Sequence, residues 1–229
     1  MLPPKALPVW LFDLDNTLHD ASHAAFRAIN ESMTAYIVRE LQMSAADADA
    51  LRGRYWQRYG ATLTGLVRHH GVDARHFLHH THLLPGLEER VRGHRHDMLA
   101  LSSLRGAKYV LTNAPAAYTA RVLGVLGIAH LFDGVIPIER LCMFGELRPK
   151  PDARMLRRVA VRLGVAPSRC ILVEDTAGHL KAARSIGMGT VWMQRWARAA
   201  RRGGAAAMRL DSTPAYVDRR VRSLRVLRR

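Results

Sequence analysis

Short apolar runs recur along this chain, with helix-period segments between them. The first, Val9-Trp10-Leu11-Phe12, is bulky, drawn from β-branched, aromatic and aliphatic residues. It leaves no room for an amphipathic helix before Asn16-Thr17 breaks the pattern, so it predicts a buried strand. Beyond it the period changes. In ASHAAFRAINESMTAYIVREL, Phe26, Ile29, Met33, Tyr36, Ile37 and Leu41 recur at helical spacing, with Ser22 as the expected N-cap. No strand pattern returns until Tyr109, and Gly60, Gly71 and Pro85-Gly86 punctuate the interval. Residues 19–95 are therefore expected to form an all-helical insertion, with residues 1–18 and 96–229 as one core. In that core AKYVLTN, DGVIPI, RCILVED and GTVWM read as strands, with helices over 116–126, 152–163 and 177–186. Such alternation predicts an α/β fold whose parallel sheet is covered on both faces. Residues 198–214, rich in glycine, alanine and arginine, predict a surface loop before a terminal helix.

Composition narrows the setting. Hydrophobic residues make up 48% of the 229 positions, enough for a substantial core. MLPPKALP has no apolar leader, and no apolar run approaches the roughly 18 residues of a membrane span. A cytoplasmic protein is the expectation. Cys142 and Cys170 lack metal-ligand spacing, and Cys170 reads as a small buried hydrophobe in place of a disulfide partner. The net charge of +16 would attract phosphates, nucleic acid or anionic lipid. Its arginines are scattered through the expected helices and thicken toward the end, without interleaved aromatics or a nucleic-acid module. Solvated helix faces and steering of an anionic substrate account for them better than a nucleic-acid partner does.

The chemistry gathers where strands end. Asp13 and Asp15 follow the first strand two positions apart, a spacing that points both side chains the same way along extended backbone. Two like charges there call for a cation, although an Asx-turn would also use these residue types. Three later strand exits or helix starts carry matching groups: Thr112-Asn113, Lys150 between two prolines, and Glu174-Asp175 before a helix opened by Thr176. Singly these are common; the order carries the signal. Histidines crowd the insertion at 69, 70, 76, 79, 80 and 82. His76 and His80 share a helical face, but no cysteine or carboxylate joins them at ligand spacing, so they read as solvated or substrate-facing and not as a zinc site.

Together Asp13-Leu14-Asp15-Asn16-Thr17, Thr112-Asn113, Lys150-Pro151 and Glu174-Asp175 resemble the four motifs of the haloacid dehalogenase-like hydrolase superfamily. The resemblance spans residue 9 to about residue 193, with the cap inserted after the first motif as in subfamily IA. Within the cap, RYGATLTGLVRHHGVDARHFL is similar to the pyrimidine 5'-nucleotidase branch. The resemblance implies a Rossmann-like three-layer α/β/α core and a Mg²⁺-dependent phosphomonoester hydrolase acting on a small phosphorylated metabolite, a nucleoside monophosphate in that branch. Asp13 would be the nucleophile and Asp15 the general acid and base. Lys150, Thr112 and the Asn113 backbone would hold the phosphoryl group. Asp13, Asp175 and the Asp15 main-chain carbonyl would hold Mg²⁺, with Glu174 behind them. His179 stands where many members carry another aspartate and is not expected to be catalytic. Tyr59, Thr62 and Thr64 in the cap are expected to read the leaving group. A phosphatase for a sugar phosphate or phosphoglycolate, a phosphomutase, and a non-catalytic basic nucleic-acid-binding protein are the alternatives.

Overall fold

Alternation along the first strand separates two faces of the molecule: Trp10 and Phe12 join one hydrophobic cluster, Val9 and Leu11 another. The computed structural model describes residues 7–196 and 212–228. Its strands are β1 (Val9–Phe12), β2 (Lys108–Leu111), β3 (Gly134–Ile136), β4 (Cys142–Met143), β5 (Glu146–Leu147), β6 (Cys170–Glu174), β7 (Gly189–Met193) and β8 (Arg219–Val221). Its α-helices are α1 (Ala21–Ala24), α2 (Phe26–Leu41), α3 (Ala45–Tyr59), α4 (Thr62–His70), α5 (Ala74–Thr81), α6 (Leu87–Arg90), α7 (Arg95–Ser103), α8 (Ala116–Leu126), α9 (Ala153–Arg162) and α10 (Ala177–Ser185). No described helix is long and apolar enough to cross a membrane.

Six strands form one parallel sheet in the order β3-β2-β1-β6-β7-β8. On one face Leu101 of α7 and Tyr118, Val122 and Leu123 of α8 pack with Phe12, Val110 and Val173. On the other, Leu156 and Val159 of α9 and Leu180 and Ala183 of α10 pack with Leu11, Leu111 and Leu172. Both faces are thus buried, which is why these strands are near-continuous apolar runs. Cys170 lies inside this second layer.

The helical insertion has its own core, in which Tyr36, Ile37, Leu51, Leu63, Leu66 and Phe77 of α2 to α5 meet. The two ends of the 19–95 stretch behave differently. Ala24, Ala25 and Ile29 on entry, and Leu84, Leu87 and Val91 on return, pack into the cluster on the sheet.

Two expectations are corrected, and one pair of strands was not foreseen. The helix expected after Ser22 and on to Leu41 starts at Ala21 and breaks at Ala25, and the side chain of Asp20, not Ser22, caps its first piece by accepting from the His23 N–H. Ser22 is instead bonded to Asn16. Between β3 and β6 the short antiparallel pair β4–β5 precedes the expected helix. The terminal helix is replaced by β8, paired with β7, and a 3₁₀ turn over Leu224–Arg228. Val221, Leu224 and Leu227 are the apolar residues buried there, and the arginines between them hide that strand from any periodicity argument. Most of the loop expected over 198–214 lies outside the described residues.

Candidate active site

Strand order reverses beside β1, since β2 leaves to one side and β6 to the other. Open parallel sheets hold ligands at the carboxyl ends of strands flanking such a point. Asp13 leaves β1 with its N–H donated to the Val173 carbonyl at 2.9 Å, and Thr112 leaves β2 with its N–H donated to the Ile136 carbonyl at 3.1 Å. Glu174 closes β6. Lys150 arrives from the loop after β5, and all four side chains are buried at one end of the sheet.

The Lys150 ammonium has three protons and three acceptors: Asp13 Oδ1 at 2.6 Å, Glu174 Oε2 at 2.8 Å and the Leu111 carbonyl at 2.9 Å. Its backbone is clamped as well. Asn113 Oδ1 accepts from the Lys150 N–H and Asn113 Nδ2 donates to the Lys150 carbonyl, both at 2.9 Å. The Asn113 side-chain amide is thereby committed to the lysine loop. Thr112 Oγ1 accepts from the Ala114 N–H at 3.0 Å, which leaves its own proton to donate. His179 Nδ1 lies 2.9 Å from Glu174 Oε2, so the histidine in the usual aspartate position supports the buried carboxylate.

Asp13, Glu174 and Asp175 offer carboxylate oxygens within 4.8 Å of one another, the one such group of three among the described residues. An oxygen-only donor set of this kind fits a hard dication such as Mg²⁺. Without a cation the charges compete. Burial, then Glu174, pushes the Asp13 carboxyl up to about 8 against the pull of Lys150. Burial and the same neighbour raise Asp175 well above the carboxylate range. Burial also opposes charge on Glu174, but Lys150 and His179 overcome it and hold its carboxyl low. With all three carboxylates ionised, Lys150 leaves two negative charges unbalanced, and a divalent ion held by Asp13 and Asp175 would balance them and let both give up their protons.

Asp15 is turned toward other partners. Its Oδ1 accepts from the Tyr118 hydroxyl at 2.7 Å and pairs with His19 Nε2 at 2.9 Å. Burial, with Asp15 next to it, drives the Tyr118 phenol well above its ordinary range, so it remains a donor. Sequence reasoning found neither residue. His19 had a readable signal, its spacing of four from Asp15; Tyr118 had none, lying on α8 more than a hundred positions away.

The cap residues fare unevenly. Thr62 is buried and its hydroxyl donates to the Arg52 carbonyl at 3.1 Å, so the hydroxyl expected to meet a ligand is used inside the cap. Thr64 Oγ1 is enclosed, with no hydrogen-bond partner in the described structure. The Tyr59 hydroxyl lies 2.6 Å from His69 Nε2. Next to it Gly60 lies against the Pro151 ring and the Lys150 carbonyl, which brings the α3–α4 turn onto the lysine loop. Tyr36 holds His76 Nδ1 at 2.8 Å, and His70 is bonded to Tyr55.

A family model described as haloacid dehalogenase-like hydrolase matches residues 9–187. Phosphate metabolism protein 8 of Saccharomyces cerevisiae is 27% identical over 206 residues, which is 82% of this chain and 62% of the yeast protein. A fructose-1-phosphate phosphatase of Escherichia coli is 34% identical over 80 residues, 35% of this chain and 40% of that one. The chain therefore spans less than two thirds of either relative. Among solved structures, a HAD phosphatase from Thermococcus onnurineus aligns with a TM-score of 0.62 at 21% identity, covering 97% of this chain and 96% of its own. An L-2-haloacid dehalogenase from Xanthobacter autotrophicus aligns at 0.59 and 17% identity, covering 97% of each chain. At such identities the likeness is one of fold.

Proposed function

Because the chain belongs to the haloacid dehalogenase-like hydrolase family, we propose that it is a Mg²⁺-dependent phosphomonoester hydrolase working through an aspartyl-phosphate, with pyrimidine nucleoside 5'-monophosphates as its substrates. One observation carries the reading: a buried lysine and three carboxylates meet at the strand ends, with a fourth carboxylate, Asp15, held apart from them by its own donors.

Phosphate monoesters hydrolyse among the slowest of biological substrates, and splitting the reaction into two displacements lowers each barrier. In the first, an Asp13 oxygen bonds to phosphorus as the ester P–O bond breaks, and Asp15 gives its proton to the departing oxygen. In the second, Asp15 takes a proton from water as that water's oxygen bonds to phosphorus. The acyl-phosphate P–O bond breaks, releasing inorganic phosphate and restoring the Asp13 carboxylate. Lys150 reduces the repulsion between that carboxylate and the phosphoryl group, and the Thr112 hydroxyl can donate to a phosphoryl oxygen. Mg²⁺ held by Asp13 and Asp175 would supply the remaining positive charge. A halide leaves without a proton, so the presence of Asp15 favours a phosphatase over a dehalogenase.

Substrate choice rests on the cap, where Gly60 seats the α3–α4 turn against Pro151 and Tyr59, the residue before it, is half-buried with its hydroxyl on His69. A second reading, a sugar phosphate or phosphoglycolate, is favoured by the short matches to the fructose-1-phosphate phosphatase and to an Escherichia coli phosphoglycolate phosphatase, 33% identical over 82 residues. Phosphate release from UMP, CMP, AMP, fructose 1-phosphate and phosphoglycolate, with Mg²⁺ and with EDTA, separates the two. UMP and CMP should lead in kcat/KM, EDTA should stop turnover, and Asp13→Asn should be inactive on every member. Release by Asp13→Asn would refute the covalent route, and a sugar phosphate in the lead would replace the nucleotide reading.

A further inference from the structure

Asp15 is held in an unusual way for a group that must pass a proton. Both described partners of its carboxyl converge on one oxygen: the Tyr118 hydroxyl at 2.7 Å and His19 Nε2 at 2.9 Å reach Oδ1, while no described side chain is bonded to Oδ2. The two partners also approach each other at 3.4 Å. They come from different parts of the fold. His19 lies one turn beyond Asp15 in the same loop; Tyr118 lies in α8, which is packed on the sheet beside β2. Both are buried.

From this arrangement we infer that Tyr118 and His19 are positioning residues that fix the Asp15 carboxyl by filling Oδ1, leaving Oδ2 as the oxygen that delivers and receives the proton. A carboxyl oxygen has two lone-pair directions, and two donors fill them. Rotation about the Cβ–Cγ bond would break both hydrogen bonds inside a buried pocket, which costs more than rotation in water. No acceptor faces His19 Nδ1 among the described residues, so the ring proton belongs on Nε2, where it points at Asp15. The inference rests on the proposed hydrolase chemistry and adds to it the groups that aim the acid.

The readout that separates aiming from mere packing is sensitivity to the leaving group. p-Nitrophenolate departs without a proton, whereas an alkoxide needs one, and kcat/KM reports the steps through phosphoenzyme formation. Tyr118→Phe removes a single oxygen. It should lower kcat/KM by about 10- to 100-fold for the best alkyl phosphate of the panel, within the span of a general-acid contribution. For p-nitrophenyl phosphate the loss should stay within about threefold. His19→Leu should show the same selectivity, and His19→Gln, which retains a donor, should recover part of the alkyl phosphate rate. Equal losses on both substrates, or none on either, would overturn the inference while leaving the hydrolase reading intact. A wild-type protein that releases phosphate from neither substrate would remove the hydrolase reading, and the inference with it. Should His19 variants fail to fold, Tyr118→Phe decides alone.

Discussion

Replacing Lys150 with methionine keeps the length of the side chain and removes one buried charge, and the structure sets the scale of the consequence. Three acceptors lose their donor at once: Asp13 Oδ1, Glu174 Oε2 and the Leu111 carbonyl. Breaking a buried ion pair by deleting one partner costs about 3–5 kcal/mol, because the other partner is left charged and unsolvated. Here two carboxylates are left, although Glu174 keeps His179 at 2.9 Å and Asp13 can take up a proton. A loss of about 3–5 kcal/mol is therefore expected, a large part of the roughly 5–15 kcal/mol that holds a domain folded. Urea unfolding at pH 7 in EDTA measures it, with an unchanged m-value marking the same folded state. Mg²⁺ should return part of the loss, since a dication supplies charge that the lysine no longer does. Adding Glu174→Gln to Lys150→Met should cost less than the two single changes summed, because one stranded charge disappears. A loss below about 1 kcal/mol for Lys150→Met would mean that the lysine is not the group neutralising this cluster.

Two further outcomes are expected. Gly60→Ala should cost about 2–4 kcal/mol, combining a left-handed backbone (φ 75°) with a Cβ driven into Pro151 Cδ, and should lower kcat/KM because the α3–α4 turn can no longer rest on the lysine loop. Gly71→Ala, at φ 63° with no neighbour in reach, should show only the backbone cost and leave catalysis unchanged; equal effects at both glycines would refute the seating argument. His82 provides a pH test. Burial lowers its ring from 6.5 to about 4, so between those values the unfolded chain binds the extra proton and stability rises with pH. Falling pH through that window should remove up to about 3 kcal/mol. His82→Asn should flatten that part of the urea-stability profile, and an unchanged slope would show that His82 titrates normally.

Much of this protein is written in local pattern. Val9–Phe12 could hardly be anything but a buried strand, and the recurrence of such runs between helical segments specified a covered parallel sheet. Each of those elements needs only its own periodicity to be read. Family resemblance added the polar residues at the strand ends, because motif order survives in the linear chain. What could not be read were relations between distant positions. Nothing in the sequence told that the side-chain amide of Asn113 is set against the backbone of Lys150, thirty-seven positions away. Thr62 looked like a ligand hydroxyl until its helix was packed and the Arg52 carbonyl took it. Strand β8 depends on an edge that β7 offers, since its own arginine-rich sequence carries no strand period. Tyr118 reaches Asp15 only because β2 lies beside β1 and sends α8 back across the same end of the sheet. Residue type and spacing determined which chemistry this chain could carry. The pairing of strands, which brings groups within 3 Å that the chain holds far apart, decided which atoms are free to perform it.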